Sequence, residues 1–589
     1  MWADKAAGIA NNAANGARAL SLEFNHKFLG GVLFRSCFVA AVFTATAALL
    51  GGSPALAAPH ASAKSVSITL LSTTDLHGRI EPWDYSANKP ADLGLAKIAT
   101  LVKRARAEAP DALLVDVGDM VQDPQSTLTN FFLAKHPKTL NPMIAVMNRM
   151  GYDAMAVGNH EFNFAPQPMW SMKGASHFPW LGANIKQPYT QGAPYFKPYI
   201  IKTVKGVRVG VVAFVAPVVE PVAGYELQPI VASGKTVVAE LRPKVDLLVV
   251  LLHSGFVRDP VTGIQDSRVQ VPGENVAEEF VAQVPGVDVI IYGHLHSELP
   301  EKVMNGVLLT EAKFWGQSLA RADVTMTKDP QGRWQVASKH SRTIPVTAEV
   351  PADPDIMKLV RPYRRTLEQY LDAPIAKSGA ALSGAHANFE DTPLLDVIQH
   401  AQMAAGAEIA LSSLPDTRVS LPRGAVTVRQ AQSLYPESSS NPIVQMTGAQ
   451  LKAALEYSAG LYSPWPAPDG ASLKPPAKNP DQAAGVSYRI DLTRTAGDRI
   501  VDLQYHGKPV DPAQTFRAAI NSSRHLGVDG YAVYKGLPVV GQTRDMSELV
   551  TDYIKRTKVI PSHADGNWKI GPPEAVAAME AGAGAEPAK

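Results

Sequence analysis

The chain has a single cysteine in 589 residues, Cys37. It lies inside an N-terminal apolar run, so a processed chain has no thiol. Disulfides, thiolate nucleophiles and cysteine-ligated zinc are therefore excluded, and any metal ligands or nucleophiles must come from His, Asp, Glu, Asn, Ser or Thr. Charge of one sign is also lacking. The formal net charge is +2, from 56 basic against 54 acidic residues. Residues 1–57 hold four of the basic residues (Lys5, Arg18, Lys27, Arg35) and two of the acidic ones (Asp4, Glu23), which leaves 52 of each sign in the rest. A neutral body without a long Lys/Arg run has no electrostatic reason to bind a nucleic-acid polymer or an anionic membrane. Small molecules suit it better.

Long apolar runs are scarce. Cys37–Leu50 has 14 uncharged residues, short of the roughly 20 that span a bilayer. It follows Lys27 and Arg35 and precedes Ser53-Pro54-Ala55-Leu56-Ala57-Ala58, an A-x-A cleavage pattern. We read 1–57 as a secretory signal peptide, which implies export to the periplasm or the medium and no stable membrane span after cleavage. With 46% hydrophobic and 19% charged residues the remainder is globular.

From 64 to 346 short apolar runs alternate with helical stretches: Val66–Leu71, Ala112–Val117, Asp153–Val157, Val207–Phe214, Asp246–Leu252 and Val287–Tyr292 read as buried strands, Leu95–Ala107 as a helix. Near-continuous Val, Ile and Leu implies sheets covered on both faces, an α/β architecture. Residues 351–372 read as a charged linker helix, interrupted or kinked near Pro362. A second unit, 373–571, has helices at Leu394–Ala405 and Gly448–Ala459, strands at Val486–Leu492 and Phe516–Ile520, and a Pro-rich exposed loop over Ser463–Ala484. The Ala/Gly/Glu-rich tail 572–589 reads as disordered.

Five polar motifs fall at or just after strand ends: Asp75-Leu76-His77-Gly78, Gly118-Asp119, Gly158-Asn159-His160-Glu161, His253-Ser254-Gly255 and Gly293-His294-Leu295-His296. In open α/β sheets such ends converge on a ligand crevice. Any one of these motifs is an ordinary turn or a satisfied histidine. Five in series, all of ligand type, are not explained that way. Asp, Asn and neutral imidazole suit two divalent ions such as Zn²⁺ or Mn²⁺, with Asp119 as the simplest bridge. Two ions about 3.5–4 Å apart can activate a water and clamp a phosphoryl group, so the reaction suggested is phosphoester hydrolysis.

In this order the motifs resemble those of the calcineurin-like metallophosphoesterases. Gly424–Arg429, Met446–Leu451, Gly485–Tyr488 and Asp565-Gly566-Asn567-Trp568 extend the resemblance to the exported two-domain 5′-nucleotidase family and its 2′,3′-cyclic-nucleotide 2′-phosphodiesterase/3′-nucleotidases. The resemblance implies an N-terminal four-layer phosphoesterase domain of two central sheets flanked by helices, and a C-terminal α+β substrate-binding domain. It implies one ion held by Asp75, His77, Asp119 and His296 and another by Asp119, Asn159, His253 and His294. His160 is left free to face the phosphoryl oxygens. The position three residues on is Asn163, as in the cyclic-phosphodiesterase group, where relatives often have Asp; an amide can orient the imidazole but cannot stabilise its charge as a carboxylate would.

The recognition half departs further from the family. Where 5′-nucleotidases carry Asn-Gly-Gly-Gly-Ile-Arg, this chain reads Ser413-Leu414-Pro415-Asp416-Thr417-Arg418, leaving Arg418 as a candidate for gripping substrate. Tyr531 matches one of two rings expected to sandwich the base. The other should follow Leu434-Tyr435-Pro436, where Glu437 stands, so that Tyr435 or Tyr462 would have to serve; Asp123 replaces a family glycine near the metals. The expectation is a secreted, monomeric, dimetal phosphoesterase that acts on a small-molecule nucleotide, by the 2′,3′-cyclic-nucleotide 2′-phosphodiesterase/3′-nucleotidase reaction. The alternatives are a 5′-nucleotidase or nucleotide-sugar hydrolase, a non-catalytic nucleotide-binding protein, and a hydrolase of a non-nucleotide phosphoester or sulfur ester.

Overall fold

The structure is a computed structural model that describes residues 65–583 except 85–88, 122–126, 164–165, 187–195, 218–223, 266–271, 437–438, 468–475, 477–478 and 542. Residues 1–57, read above as a signal peptide, together with Asp123, Glu437 and the last residues of the tail, lie outside the described residues.

Five strands carry the polar motifs: β1 (Ser65–Thr73), β2 (Leu113–Asp116), β3 (Ala154–Ala156), β4 (Leu247–His253) and β5 (Val289–Tyr292). One six-stranded sheet has the order Trp334–Pro345, Ser318–Lys328, β1, β2, β3, Trp180–Leu181. From β1 to Trp180–Leu181 its pairs are parallel, while Ser318–Lys328 runs antiparallel to β1. The other has the order Leu299–Met304, Val307–Glu311, β5, β4, Val207–Val215, Tyr199–Val204, with β4 parallel to both neighbours. Both sheets are mixed, with antiparallel strands at their edges.

The near-continuous apolar runs are explained by what covers them. Ile68, Leu70, Val115 and Ala154 of the first sheet meet Val209, Val249, Leu251 and Ile291 of the second in one dry core, so the sheets pack face to face. The outer face of the first sheet, with Leu71, Leu114 and Met155, lies under helices Leu95–Glu108, Pro142–Met150 and Pro354–Leu371. The outer face of the second, with Phe214, Leu248 and Val250, lies under Ile230–Leu241 and Ala277–Gln283. Each such fully buried side chain contributes about 1.5–3 kcal/mol. This is the four-layer α/β architecture, with the strand ends gathered at one edge.

Helix Pro354–Leu371 is capped by the Asp353 carboxylate, which accepts from the backbone N–H groups of Asp355 and Ile356 at 3.0 and 3.1 Å. The expected interruption at Pro362 does not occur. The helix runs through it for 18 residues, because the buried stripe Ile356, Val360, Leu367 and Leu371 offsets the one hydrogen bond that proline removes.

Beyond it the chain forms an α+β arrangement of smaller sheets. One four-stranded sheet has the order Ile443–Thr447, Thr515–Ala519, Ile409–Ser412, Gln482–Ala484; another has the order Lys508–Pro509, Ile500–Tyr505, Ser487–Asp491, Trp568–Gly571. Helices Pro393–Ala404 and Gly448–Gly460 pack on this part of the chain, the second started by a Thr447/Gln450 capping box. Two expectations are corrected here. The stretch Ser463–Ala484 ends in the buried strand Gln482–Ala484. The tail is not structureless from 572: Pro573–Ala583 is a helix whose Ala575 and Met579 enter the core beside Trp568 and Ile570, since Ala and Glu are helix formers once an apolar stripe can be buried. Among the described residues no helix is long and apolar enough to cross a membrane.

Candidate metal centre

All five motifs emerge at the carboxyl ends of β1 to β5. Their turns are tied to one another: the backbone N–H of Asp75 donates to Gly118 O at 3.0 Å and that of His77 to Asp119 O at 2.9 Å. Asp75, His77, Asp119, His294 and His296 all have positive φ, between 45° and 88°. For residues with a Cβ this is strained backbone, roughly 1–3 kcal/mol each, held by the surrounding packing and typical of functional sites. Glycines make the close approach possible. A Cβ on Gly293 would lie 2.0 Å from Thr74 Oγ1 and 2.6 Å from Asp75 Oδ2, and one on Gly118 would lie 2.6 Å from Gly158 N.

The side chains form two groups, Asp75 with His77 and His296, and Asp119 with His253 and His294, each with one ligand atom per residue within 4.8 Å of the others. Except for the partly open histidines of the Gly-His-Leu-His motif, these residues are buried. His77 Nε2 faces His296 Nε2 at 2.8 Å, and both lie about an ion's width from Asp75, at 4.0 and 3.7 Å from Oδ1. Asp119 stands between the groups: its Oδ2 is 3.1 Å from His253 Nε2 and 4.0 Å from His77 Nε2. Asn159 Oδ1 is 3.0 Å from the same His253 nitrogen. Converging imidazole nitrogens and carboxylate oxygens are the donor set of divalent transition ions, and the two buried groups fit a dimetal site.

The electrostatics agree. Burial pushes the Asp119 carboxyl up, but His253, His160 and His77 outweigh it and hold the group well below the usual carboxylate range. Burial alone would lower His253, yet the Asp119 and Asp75 charges push it up to about 10, so that its imidazolium supplies the positive charge the carboxylates require. A divalent ion would take over that role. His253 Nδ1–H donates to Val117 O at 2.9 Å, which turns Nε2 inward. Burial lowers His296 to about 4, against the pull of Asp75, so the ring is neutral at neutral pH and offers one lone-pair nitrogen.

His160 sits beside both groups, with Nε2 3.9 Å from Asp119 Oδ2 and its side chain 36% exposed. Asn163 Nδ2 donates to its Nδ1 at 2.7 Å, and its own backbone N–H donates to Asp119 Oδ1 at 2.8 Å. Burial lowers its pKa despite the Asp119 charge. The ring is thus neutral at neutral pH, with its one N–H on Nε2.

Two carboxylates were assigned no role from the sequence. Glu161 is fully buried and accepts from the backbone N–H groups of Gly158, Asp119 and Met120 at 2.7, 3.0 and 2.9 Å, locking the β2 and β3 turns together. Its signal was its place in Gly-Asn-His-Glu. Glu274 lies 3.0 Å from His294 Nε2, and no spacing in the sequence points to it.

The recognition residues are placed differently. Arg418 is exposed and forms a two-pronged pair with Asp416 at 2.9 and 3.0 Å. Tyr531 has no open ring face: it is 1% exposed, Tyr534 stacks on it, Arg524 lies 4.4 Å over its ring, and its hydroxyl joins Ser458 and Asp481 N. Tyr435 and Tyr462 are likewise core residues. An amphipathic ring with a satisfied hydroxyl is stable inside, which corrects the expectation of a stacking surface at Tyr531 in this conformation.

Residues 68–298 match the calcineurin-like phosphoesterase model and residues 372–536 that of the 5′-nucleotidase C-terminal domain. The 2′,3′-cyclic-nucleotide 2′-phosphodiesterase/3′-nucleotidase of Haemophilus influenzae is 28% identical over 593 residues, covering 86% of this chain and 88% of that one. A trifunctional nucleotide phosphoesterase protein of Bacillus subtilis is also 28% identical, over 88% of this chain but only 40% of its own length. The structure resembles in fold a putative 5′-nucleotidase from Staphylococcus aureus, with a TM-score of 0.64, 24% identity, 86% of this chain and 100% of that chain covered. Two matched domains, with the metal centre in the first, place the chain in the two-domain 5′-nucleotidase family, as a metal-dependent phosphoester hydrolase of the nucleotidase type.

Proposed function

We propose that the chain is an exported 2′,3′-cyclic-nucleotide 2′-phosphodiesterase/3′-nucleotidase, processed by loss of 1–57 and working as a monomer in the periplasm or medium. The observation that carries this reading is His160 backed by the amide of Asn163 rather than by a carboxylate, beside two groups of ligand-type side chains with Asp119 standing between them. Relatives with that printed activity, 26–28% identical, support it.

Asp75, His77, Asp119 and His296 would hold one ion and Asp119, Asn159, His253 and His294 the other, Mn²⁺ or Zn²⁺ by donor type. Such a pair supplies charge neutralisation and an activated water. The chain's own residues supply position and protons. His160 Nε2–H donates to the phosphoryl or leaving oxygen, and Asn163 fixes the tautomer that puts the proton there. Because 2′,3′-cyclic esters and 3′-monoesters present the phosphoryl group beside a ribose oxygen, one proton donor serves both.

A second reading follows from Tyr531. With that ring buried, a phosphoester lacking a base would lose little, so a non-nucleotide ester is the rival. The test is product release by the chain lacking 1–57, with Mn²⁺: phosphate and nucleoside from 2′,3′-cyclic AMP, 3′-AMP and 5′-AMP, and p-nitrophenol from bis(p-nitrophenyl) phosphate, with His160→Ala as control. Preference for the first two, lost by about 10²–10⁴-fold in the variant, is expected. Preference for 5′-AMP, or turnover of the artificial ester alone, would overturn the assignment.

A further inference from the structure

We propose that Glu274 is a positioning residue of the metal centre, which fixes the tautomer and tilt of His294 so that Nδ1 is the nitrogen offered beside Asp119 and His253. The assignment rests on the reading that this group holds an ion. Glu274 Oε1 is 3.0 Å from His294 Nε2. A carboxylate oxygen accepts, so the hydrogen lies on Nε2 and the nitrogen left to ligate an ion is Nδ1. His253 is set the opposite way, its Nδ1–H given to Val117 O and its Nε2 turned to Asp119 at 3.1 Å. The two rings meet edge to face, with centroids 5.1 Å apart. The neighbouring histidines thus use opposite nitrogens, and in each the outer hydrogen bond decides which one.

The backbone that carries Glu274 is anchored to the segment that carries His253. Ser254 Oγ donates to Glu274 O at 2.6 Å and accepts from Val276 N at 3.0 Å, while Gly255 N donates to Asn275 Oδ1 at 3.1 Å. Ala277 N closes the set on Gly255 O at 3.0 Å. A Cβ on Gly255 would lie 2.3 Å from Leu295 Cδ1 and 3.1 Å from Asn275 Oδ1, so the three segments bearing His253, Glu274 and His294 interlock at that glycine. The backbone of His294 is fixed independently by its N–H to Asp75 Oδ2 at 3.0 Å. Only the ring's rotation is left for Glu274 to set.

The experiment uses the chain lacking 1–57, with Glu274→Ala and Glu274→Gln, and Mn²⁺ as probe. Binding isotherms give the number and affinity of ions, and electron paramagnetic resonance separates a coupled pair from an isolated ion. Metal-free melting reports folding. Glu274→Ala is expected to weaken one of two ions about 10–100-fold, replacing the coupled signal by an isolated one, with metal-free melting unchanged. Glu274→Gln, whose carbonyl oxygen still accepts from Nε2, is expected to retain more of that affinity than Ala. Wild-type binding of both ions by Glu274→Ala would overturn the proposal, as would loss of both ions together with early melting, which marks a merely structural role. Fewer than two ions in the wild type would overturn the metal-centre reading itself, and the assignment with it.

Discussion

His77 and His296, 219 residues apart in sequence, meet nitrogen to nitrogen at 2.8 Å. That contact is a hydrogen bond only if one ring donates its Nε2–H to the other, and with both Nε2 atoms as lone pairs it is repulsive unless a cation lies between them and Asp75. Removing bound metal with a chelator is therefore expected to lower the melting temperature, and Mn²⁺ or Zn²⁺ to restore it. His296→Ala is expected to bind one ion fewer, counted by elemental analysis after desalting. Unchanged stoichiometry in that variant would remove His296 from the ligand set.

Glu161 joins the turns that carry Asp119 and His160, and its loss leaves three buried N–H groups without an acceptor. Each costs about 1–3 kcal/mol, so Glu161→Ala is expected to melt several degrees earlier and to lose turnover together with metal affinity. Burial and the nearby Asp119 charge push this carboxyl up to about 7. Glu161→Gln is accordingly expected to fall between wild type and Ala in thermal melting.

Asp396, far from the metal centre in sequence, gives a pH test. Burial, then Asp391 and Asp565, push its carboxyl up to about 8. The folded chain therefore binds a proton that the unfolded chain releases near its ordinary pKa of 3.8. The stabilisation is present below about pH 4 and is lost as the pH climbs toward 8. Asp396→Asn, always neutral and able to donate to the Asp391 carboxylate, is expected to exceed wild type in melting temperature at pH 8 and to lose that advantage near pH 4. Equal melting curves at both pH values would refute the shift.

Much of this centre was legible in the sequence because strand ends and ligand types are local properties. Asp75, His77, Asp119, Asn159, His253, His294 and His296 each follow or close an apolar run, and parallel sheets bring such ends together. Glu274 was not legible, since its contact is made by a loop folded back on Ser254 and Gly255, 20 residues before His294. The burial of Tyr531 was equally hidden: it depends on Tyr534, Arg524 and Asp481 closing around a ring whose sequence setting, Asp529-Gly530-Tyr531, suits an open turn as well. The tail helix Pro573–Ala583 was masked by composition, because the same Ala and Glu that favour helix also mark low-complexity segments.

The central claim is that two ions gathered around Asp119 perform phosphoester hydrolysis, and the most direct measurement is phosphate release from 2′,3′-cyclic AMP and 3′-AMP as metal-free chain is titrated with Mn²⁺, with bound metal counted at every point. Activity that stays near zero through the first equivalent and rises with the second is the predicted result. Full activity at one ion per chain, or none at two, would contradict it.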